Sequence, residues 1–191
     1  MNTLLRPALV SFALLSALTG IVYPLLVTGI AQLAFPDQAA GSLLLRDGHA
    51  VGSSLIGQNF SAPQYLWGRP SATTPMAYNA GNSGGANLGP LNPALADAVK
   101  ARIAALRAAD PGNTAPVPVD LVTTSGSGLD PHLSVAGAQF QAARIAHARQ
   151  LPVAQVQQLI AQHSQGQHGG WLGEPRVNVL QFNLALDALK H

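Results

Sequence analysis

The strongest constraint on this chain is an uncharged, apolar segment near its amino terminus. Residues 7–36 contain no Asp, Glu, Lys or Arg, and the 28 residues from 8 to 35 are rich in Leu, Val, Ile and Ala. As a helix, which rises about 1.5 Å per residue, this stretch reaches about 42 Å, against about 30 Å for the hydrocarbon core of a bilayer. A cleaved signal peptide is the alternative, but its apolar region usually has only about 7–15 residues. We therefore predict a retained transmembrane helix over residues 7–35.

The charges beside this segment predict its orientation. Arg6 is the one charged side chain before it, and Asp37 is the first charged residue after it. Positive residues next to a span tend to stay in the cytoplasm. We therefore expect residues 1–6 in the cytoplasm and residues 36–191 on the opposite side of the membrane.

Small residues recur along one side of the predicted helix. Ala13, Ser16, Ala17 and Gly20 follow i, i+3, i+4, i+7 spacing, which places them on a common face. Such faces allow two helix backbones to approach closely within a membrane. We predict that a partner helix packs there, the alternative being a lone anchor with ordinary small-residue content.

The charge content narrows the classes of partner. Only 9% of the residues are charged, the formal net charge is +2, and Lys and Arg form no cluster. A nucleic-acid-binding protein needs such a cluster to neutralise phosphates, so that class is excluded. The chain has no Cys. The domain after residue 36 therefore depends on a hydrophobic core without disulfides, for which its length suffices.

Turn and capping residues predict the first elements of that domain. Asp47-Gly48, a dipeptide favoured in tight hairpin turns, predicts a β-hairpin within residues 42–52. Residues 57–92 are rich in Gly, Pro, Ser and Asn, and so long a stretch without regular structure usually carries function or is held by a partner. Asn92-Pro93 then suits the cap and first turn of a helix that ends near residue 110.

The rest of the domain mixes strand and helix patterns. Three further elements are predicted: a strand over residues 117–123, a helix over residues 134–149 that Ser134 caps, and a helix over residues 152–162. The tail from Val177 is compatible with a strand or with a helix capped by Asn178. We thus predict the α+β fold class, with a single N-terminal transmembrane helix followed by one extracytoplasmic mixed α+β domain.

Ser127, Asp130 and His132 are the residues that a serine hydrolase would use. However, Gly126-Ser127-Gly128 lacks the G-x-S-x-G spacing of a nucleophile elbow, and Asp130 and His132 lie too close in sequence to resemble a triad. The histidines lack the spacing and the Cys or acidic neighbours of a metal site, and no Gly-rich stretch carries the Lys of a phosphate-binding loop. We expect no catalytic or metal-binding residues, and keep a membrane-anchored hydrolase as the alternative function.

Several strings, in order along the chain, resemble the KdpC family, the C subunit of the Kdp potassium-transporting P-type ATPase. They are LIGQ at 55–58, GRPSA at 68–72, YN at 78–79, SGGANLGP at 83–90, TSGSGLDPH at 124–132 and GEPRVNV at 173–179. Together with the amino-terminal segment they cover nearly the whole chain. Leu66, Ala86 and Leu91 depart from the residues that are more frequent in the family at those positions.

The resemblance implies a non-catalytic accessory subunit of an ATP-driven, high-affinity potassium uptake complex in the bacterial inner membrane. Its partners would be a channel-like A subunit that carries K⁺, a B subunit that hydrolyses ATP with Mg²⁺, and a small F subunit. The domain after the span would be periplasmic, and this chain would bind no cofactor itself. The family is also described as a catalytic chaperone that raises the ATP affinity of the B subunit.

Two sets of candidate site residues follow from the resemblance. A nucleotide contact would involve Ser134 and Gln139, but ATP is cytoplasmic and the predicted topology places them outside, so we expect coupling through the complex instead. We expect the loops at 78–92 and 124–132 to dock on the A subunit near the K⁺ entrance. The interface candidates, besides the small-residue face of the span, are Tyr78, Asn79, Ser83, Gly84, Gly85, Asn87, Gly128, Asp130 and His132.

Overall fold

The computed structural model describes residues 2–166 and 171–189. It divides between Val51 and Gly52 into two compact units. The N-terminal unit contains α1 (Asn2–Ala17), a π-helical turn (Leu18–Val22), α2 (Tyr23–Ala34), α3 (Pro36–Ala39), β1 (Leu43–Arg46) and the start of β2 (His49–Ser53). The predicted boundaries of the cytoplasmic, membrane and outer segments stay predictions.

The long helix of the N-terminal unit is not interrupted at Pro24, the second of its two prolines. Pro24 has no N–H, and its ring would clash with the carbonyl group four residues earlier in an α-helix. The helical turn just before Pro24 contains one more residue than an α-helical turn. In it the N–H of Tyr23 donates to the carbonyl oxygen of Leu18, which is an i→i−5 bond. Thr3–Ala34 is thus one 32-residue helix of mean hydropathy 2.0, and none of its apolar stretch is buried within the chain. By length and composition it is able to cross a membrane, as the sequence predicts.

The predicted hairpin is confirmed. Strands β1 and β2 form a two-stranded sheet, and the two residues that join them, Asp47 and Gly48, have φ values of 52° and 78°. Positive φ at both positions is typical of the type I′ turn that matches the twist of a hairpin.

The second unit is a mixed α+β domain, which confirms that part of the predicted fold class. Its strands β3 (His132–Ser134), β4 (Ser164–Gln165) and β5 (Arg176–Asn178) form an antiparallel sheet in the order β3-β5-β4. In this sheet Leu133 and Ser164 both pair with Val177. The helices are α4 (Pro93–Ala109), α5 (Val135–Phe140), α6 (Ala142–Arg149), α7 (Val153–Gln162) and α8 (Val179–Ala188), and short 3₁₀ turns lie at Ala80–Asn82 and Val119–Leu121.

The hydrophobic core of this domain surrounds an irregular segment rather than a strand. Leu66 is fully buried, as are Leu121, Ile145 and Phe182 from other elements. The backbone at Leu66 and Trp67 therefore needs hydrogen-bond partners within the core, because an unpaired buried peptide group is costly.

Two buried carboxamide side chains supply those partners. The N–H of Leu66 donates to Oδ1 of Asn183 (2.8 Å), and Nδ2 of Asn183 donates to the carbonyl oxygen of Leu66 (3.0 Å). Gln141 pairs with Trp67 in the same way, with both distances 3.0 Å. Asn183 on α8 and Gln141 between α5 and α6 thus each make the two hydrogen bonds that the backbone of a neighbouring strand would make.

Arg144 holds one of these carboxamides in place. Its guanidinium lies 4.3 Å from the centroid of the Trp67 ring and donates to Oε1 of Gln141 at 2.6 Å. Desolvation by burial lowers the pKa of Arg144 to about 10, so the group stays charged at neutral pH. The charge is compensated by these contacts and by the carbonyl oxygen of Pro63.

The capping predictions for α4 and α5 are confirmed. The side chain of Asn92 accepts from the N–H of Ala94, and that of Ser134 accepts from the N–H of Gly137. Helix α7 begins directly after Pro152, as predicted. The segment from Val177, for which a strand and a helix were both compatible with the sequence, contains both. Strand β5 ends at Asn178, and the Asn178 side chain then caps α8.

Two predicted elements are wrong. Residues 117–123 form no strand but contain the 3₁₀ turn Val119–Leu121, in which the N–H of Leu121 donates to Pro118. Pro116 and Pro118 lack the N–H groups that a strand would donate. The helix predicted over residues 134–149 is two helices, because the backbone bends at Gln141, where the side chain turns inward to Trp67.

Candidate partner-binding site

Two loops that are far apart in sequence are joined into one surface, called here the loop pair: residues 69–90 and residues 124–132. The N–H of Gly84 donates to the carbonyl oxygen of Ser127 at 2.9 Å, and Oγ of Ser83 donates to the same oxygen at 3.1 Å. Oγ of Ser71 donates to the carbonyl oxygen of Gly128 at 2.7 Å. The two loops therefore hold each other. They overlap the loops at 78–92 and 124–132 for which the sequence predicted docking, and that docking stays a prediction.

Glycine is required where the two backbones approach most closely. A Cβ atom on Gly128 would lie 2.6 Å from the carbonyl oxygen of Gly84 and 2.7 Å from Cγ2 of Thr73, and its φ is +68°. A Cβ atom on Gly85 would lie 3.0 Å from the carbonyl oxygen of Gly126. Gly84 differs, since a Cβ there would meet nothing within 4 Å. The close approach of the two backbones thus occurs at Gly85 and Gly128.

Tyr78 anchors the first loop against the domain. Its φ is +58°, which is uncommon for a residue with a side chain, and its hydroxyl donates to the carbonyl oxygen of Arg69 at 2.6 Å. Its ring fills the space that a Cβ on Gly57 would need, and its hydroxyl lies 2.7 Å from the Cβ position of Gly68. Burial raises the pKa of the Tyr78 phenol, so it remains a neutral donor at physiological pH.

An ion pair joins the base of the two loops. NH1 of Arg69 lies 3.2 Å from Oδ2 of Asp130, and NH2 of Arg69 donates to the carbonyl oxygen of Thr124 at 3.2 Å. Oδ1 of Asp130 accepts from the N–H of His132 at 3.0 Å and lies 3.6 Å from its Nδ1. Desolvation raises the pKa of Asp130, but the hydrogen bonds from His132 and the charge of Arg69 outweigh it, so the pKa is lowered.

The remaining loop candidates are placed at the rim of the surface. Nδ2 of Asn79 donates to the carbonyl oxygen of Thr74 at 2.8 Å, and Oδ1 of Asn79 accepts from the N–H of Gly81 at 3.1 Å. Asn87, at a φ of +49°, is exposed beside a groove of about 600 Å³ between the loop pair and α4. The floor of that groove is made by small and apolar side chains, among them Leu95, Ala98, Ala101 and Ala105.

The membrane-face candidates belong to the N-terminal unit. Ala13, Ser16 and Ala17 lie on α1, whereas Gly20 lies in the π-helical turn. The packing of a partner helix against these four residues stays a prediction.

The two nucleotide candidates lie at a short helix. Oγ of Ser134 caps α5 by accepting from Gly137, and the N–H of Ser134 donates to Oδ2 of Asp120 at 2.7 Å. The N–H of Ser134, from which a phosphate oxygen would accept a hydrogen bond, is therefore already bonded to the carboxylate of Asp120. Gln139 lies in the second turn of the same six-residue helix.

The geometry of the hydrolase residues offers no activated serine. Oγ of Ser127 accepts from the N–H of Leu129 at 3.1 Å and lies 3.5 Å from Oγ of Ser125. Within residues 2–166 and 171–189, no hydrogen bond joins Ser127 to His132, whereas a triad needs one. The same described residues contain no group of three His, Asp or Glu side chains placed to hold a metal ion.

Sequence reasoning missed residues that hold the loop pair from behind. Arg102 on α4 donates from Nε to the carbonyl oxygen of Leu121 (3.2 Å) and from NH2 to that of Gly68 (3.1 Å). Thr73 accepts from the N–H of Asn79 at 2.9 Å. The string at residues 68–72 indicated this region, but nothing in the helix pattern of α4 distinguished Arg102 from a solvent-facing residue.

Comparison with known proteins agrees with the sequence resemblance. The chain matches the family model KdpC, described as K⁺-transporting ATPase, c chain, over residues 5–188. It is similar to the potassium-transporting ATPase KdpC subunit of Variovorax paradoxus, with 69% identity over 188 residues that cover 98% of this chain and 97% of that protein. The corresponding subunits of Polaromonas naphthalenivorans (68% over 190 residues, 100% and 97%) and Methylibium petroleiphilum (66% over 187 residues, 98% of each) are also similar.

Proposed function

This chain belongs to the KdpC family of K⁺-transporting ATPase c chains, and we propose that it is a non-catalytic accessory subunit that assembles and stabilises the transport complex. In this proposal the long N-terminal helix anchors the chain in the bacterial inner membrane. The loop pair docks on the channel-like A subunit, and the complex also contains the ATP-hydrolysing B subunit and the F subunit.

The observation that carries the proposal is that the exposed residues of the loop pair are uncharged and belong to loops that are hydrogen-bonded to each other. Ser83, Ala86, Asn87, Gly126 and Ser127 are exposed, yet the loops that carry them are tied together by backbone and hydroxyl hydrogen bonds. A surface ordered before binding loses less conformational entropy when a partner docks. Backbone groups and small side chains also permit close approach of another protein chain.

Adding bulk to this surface without disturbing the fold is expected to weaken assembly. The Cβ positions of Gly84 and Gly126 have no neighbour within 4 Å, so Gly84→Phe and Gly126→Phe place a ring where the partner would lie. We expect co-purification of the A and B subunits to fall about tenfold, which corresponds to about 1.4 kcal/mol of lost association energy. Pull-down from solubilised membranes with a tag on this chain measures it.

Gly112→Phe is the matched control, because its Cβ position is equally open and lies in the turn after α4, outside the loop pair. It should leave co-purification unchanged. Normal assembly in the Gly84→Phe and Gly126→Phe variants, with all three proteins folded, would remove the loop pair as the docking surface.

We further propose that the second unit lies in the periplasm and affects ATP affinity only through coupling across the complex. Arg6 and Asp37 support the orientation. The carboxylate of Asp120 beside Ser134 disfavours a phosphate at the implied nucleotide contact.

Thiol labelling of intact spheroplasts tests this topology, since the native chain has no Cys. Leu91→Cys, at a residue of the second unit that is 96% exposed, should react with a membrane-impermeant maleimide in intact spheroplasts. Thr3→Cys, at the amino-terminal end of the long helix, should react only after lysis. The reverse pattern would place the domain with the nucleotide and make direct ATP contact the better explanation.

A further inference from the structure

An unusual feature of the N-terminal unit is an apolar strand face in its hairpin. Leu43 and Leu45 are 53% and 66% exposed, and because they are two residues apart on β1 they point to the same side. A two-stranded hairpin is marginal in water unless one of its faces packs against something. The opposite side of β1, with Leu44, is half-buried, so Leu43 and Leu45 form the side of this strand that is open to a further contact.

The chain between the long helix and β1 keeps the hairpin close to the end of that helix. The N–H groups of Ala39 and Ala40 donate to the carbonyl oxygens of Phe35 and Pro36, both at 2.9 Å, and that of Ser42 donates to Asp37 at 2.8 Å. Residues 35–42 are thus one compact hydrogen-bonded turn rather than an extended linker. Helix α3 within it advances the chain by only about 6 Å.

The length of the helix sets the depth of the hairpin. The helix ends at Ala34. From residue 7, where the predicted span begins, to this end it reaches about 42 Å, which matches a bilayer thickness of about 40–45 Å with the headgroups. Its end, and the hairpin that follows within one turn, then lie at the level of the headgroups. Large apolar side chains remain exposed up to this level, because Leu33 and Phe35 are 89% and 59% exposed.

We propose that the Leu43–Leu45 face of the hairpin inserts into the interfacial region of the bilayer and fixes the depth of the chain at its outer surface. The occupant is the boundary between phospholipid headgroups and acyl chains, in which apolar faces bury by about 5–10 Å. The proposal rests on the membrane-spanning role of the helix that is proposed above. A lipid cover follows from the short hydrogen-bonded connection, residues 35–42, between this face and the end of the exposed helix.

Depth-dependent fluorescence quenching in vesicles tests the proposal. The full chain with Leu45→Cys, labelled with a nitrobenzoxadiazole group, is reconstituted in phosphatidylethanolamine–phosphatidylglycerol vesicles that carry doxyl lipids. Doxyl at carbon 5, near the headgroups, should quench this label more strongly than doxyl at carbon 12. Leu43→Cys should behave in the same way.

Three positions serve as controls. Leu44→Cys, on the opposite and half-buried side of β1, should be quenched less than Leu45→Cys. Leu18→Cys, in the middle of the helix, should be quenched best by the deep doxyl group, and Leu91→Cys by neither.

The outcomes separate the two proposals. If Leu18→Cys is quenched while Leu45→Cys behaves like Leu91→Cys, the span stands and the lipid contact of the hairpin is overturned. If Leu18→Cys is not quenched either, the span itself fails. If quenching of Leu45→Cys disappears when the transport complex is assembled, the face belongs to a partner subunit, which also overturns the lipid contact.

Discussion

Asn183→Leu should lower the free energy of unfolding of this chain by about 2–6 kcal/mol, because it leaves two buried backbone groups of Leu66 without partners, each at a cost of about 1–3 kcal/mol. The Leu66 N–H and carbonyl are bonded by the Asn183 carboxamide at 2.8 and 3.0 Å, and both residues are buried. Urea unfolding of the full chain in detergent, followed by fluorescence of the buried Trp67, measures the change.

Gln141→Leu makes the same test at Trp67, where the second carboxamide binds. We expect a loss at least as large as that of Asn183→Leu, because Arg144 also donates to Gln141 and would lose that partner. Gln157→Leu, at an exposed position of α7, is the matched control and should change stability by less than about 0.5 kcal/mol. Equal effects of all three substitutions would show that the core segment does not depend on carboxamide pairing.

Gly128→Ala should have the second large effect, a loss of about 2–5 kcal/mol of folding stability. A left-handed backbone costs a residue with a Cβ about 1–2 kcal/mol, and forcing an extra methyl group into a packed site typically costs about 1–3 kcal/mol. Both costs arise here, since φ is +68° and the new Cβ would lie 2.6 Å from the carbonyl oxygen of Gly84. The urea midpoint should fall, and the loops should separate.

Gly126→Ala adds the same methyl group two residues away, where a Cβ meets nothing within 4 Å. It should leave the urea midpoint unchanged. Proteolysis supplies a second measurement, because separation of the loops should expose residues 69–90 to cleavage in Gly128→Ala but not in Gly126→Ala. Equal stability of the two variants would contradict the close backbone approach described for the loop pair.

The parts of the fold that were predicted correctly depend on local chemistry. Asp47-Gly48 suffices for the hairpin, because only residues that tolerate positive φ suit its turn. Asn92 and Ser134 cap helices through bonds to N–H groups two or three residues away. Each of these interactions lies within a few residues, so the order of residue types reveals it.

The parts that were not predicted depend on partners far away in the sequence. The inward turn of Gln141, which divides the predicted helix, is a response to Trp67, 74 residues earlier. The candidate loops were identified from their sequence strings. The hydrogen bonds between them and the support from Arg102 were not predicted. An arginine on an exposed helix and one that holds a distant carbonyl group have the same sequence pattern.

By itself, the sequence determined the family, the apolar helix able to cross a membrane, the hairpin and the capped helices. The apolar helix follows from the composition of a long uncharged segment. The hairpin turn and the helix caps depend on residues that are close together in the sequence. Only the tertiary structure decided that the irregular segment at Leu66 and Trp67 runs through the core, and that residues 69–90 and 124–132 form one surface. Those features result from hydrogen bonds and close contacts between distant segments, which exist only after the chain has brought the segments together.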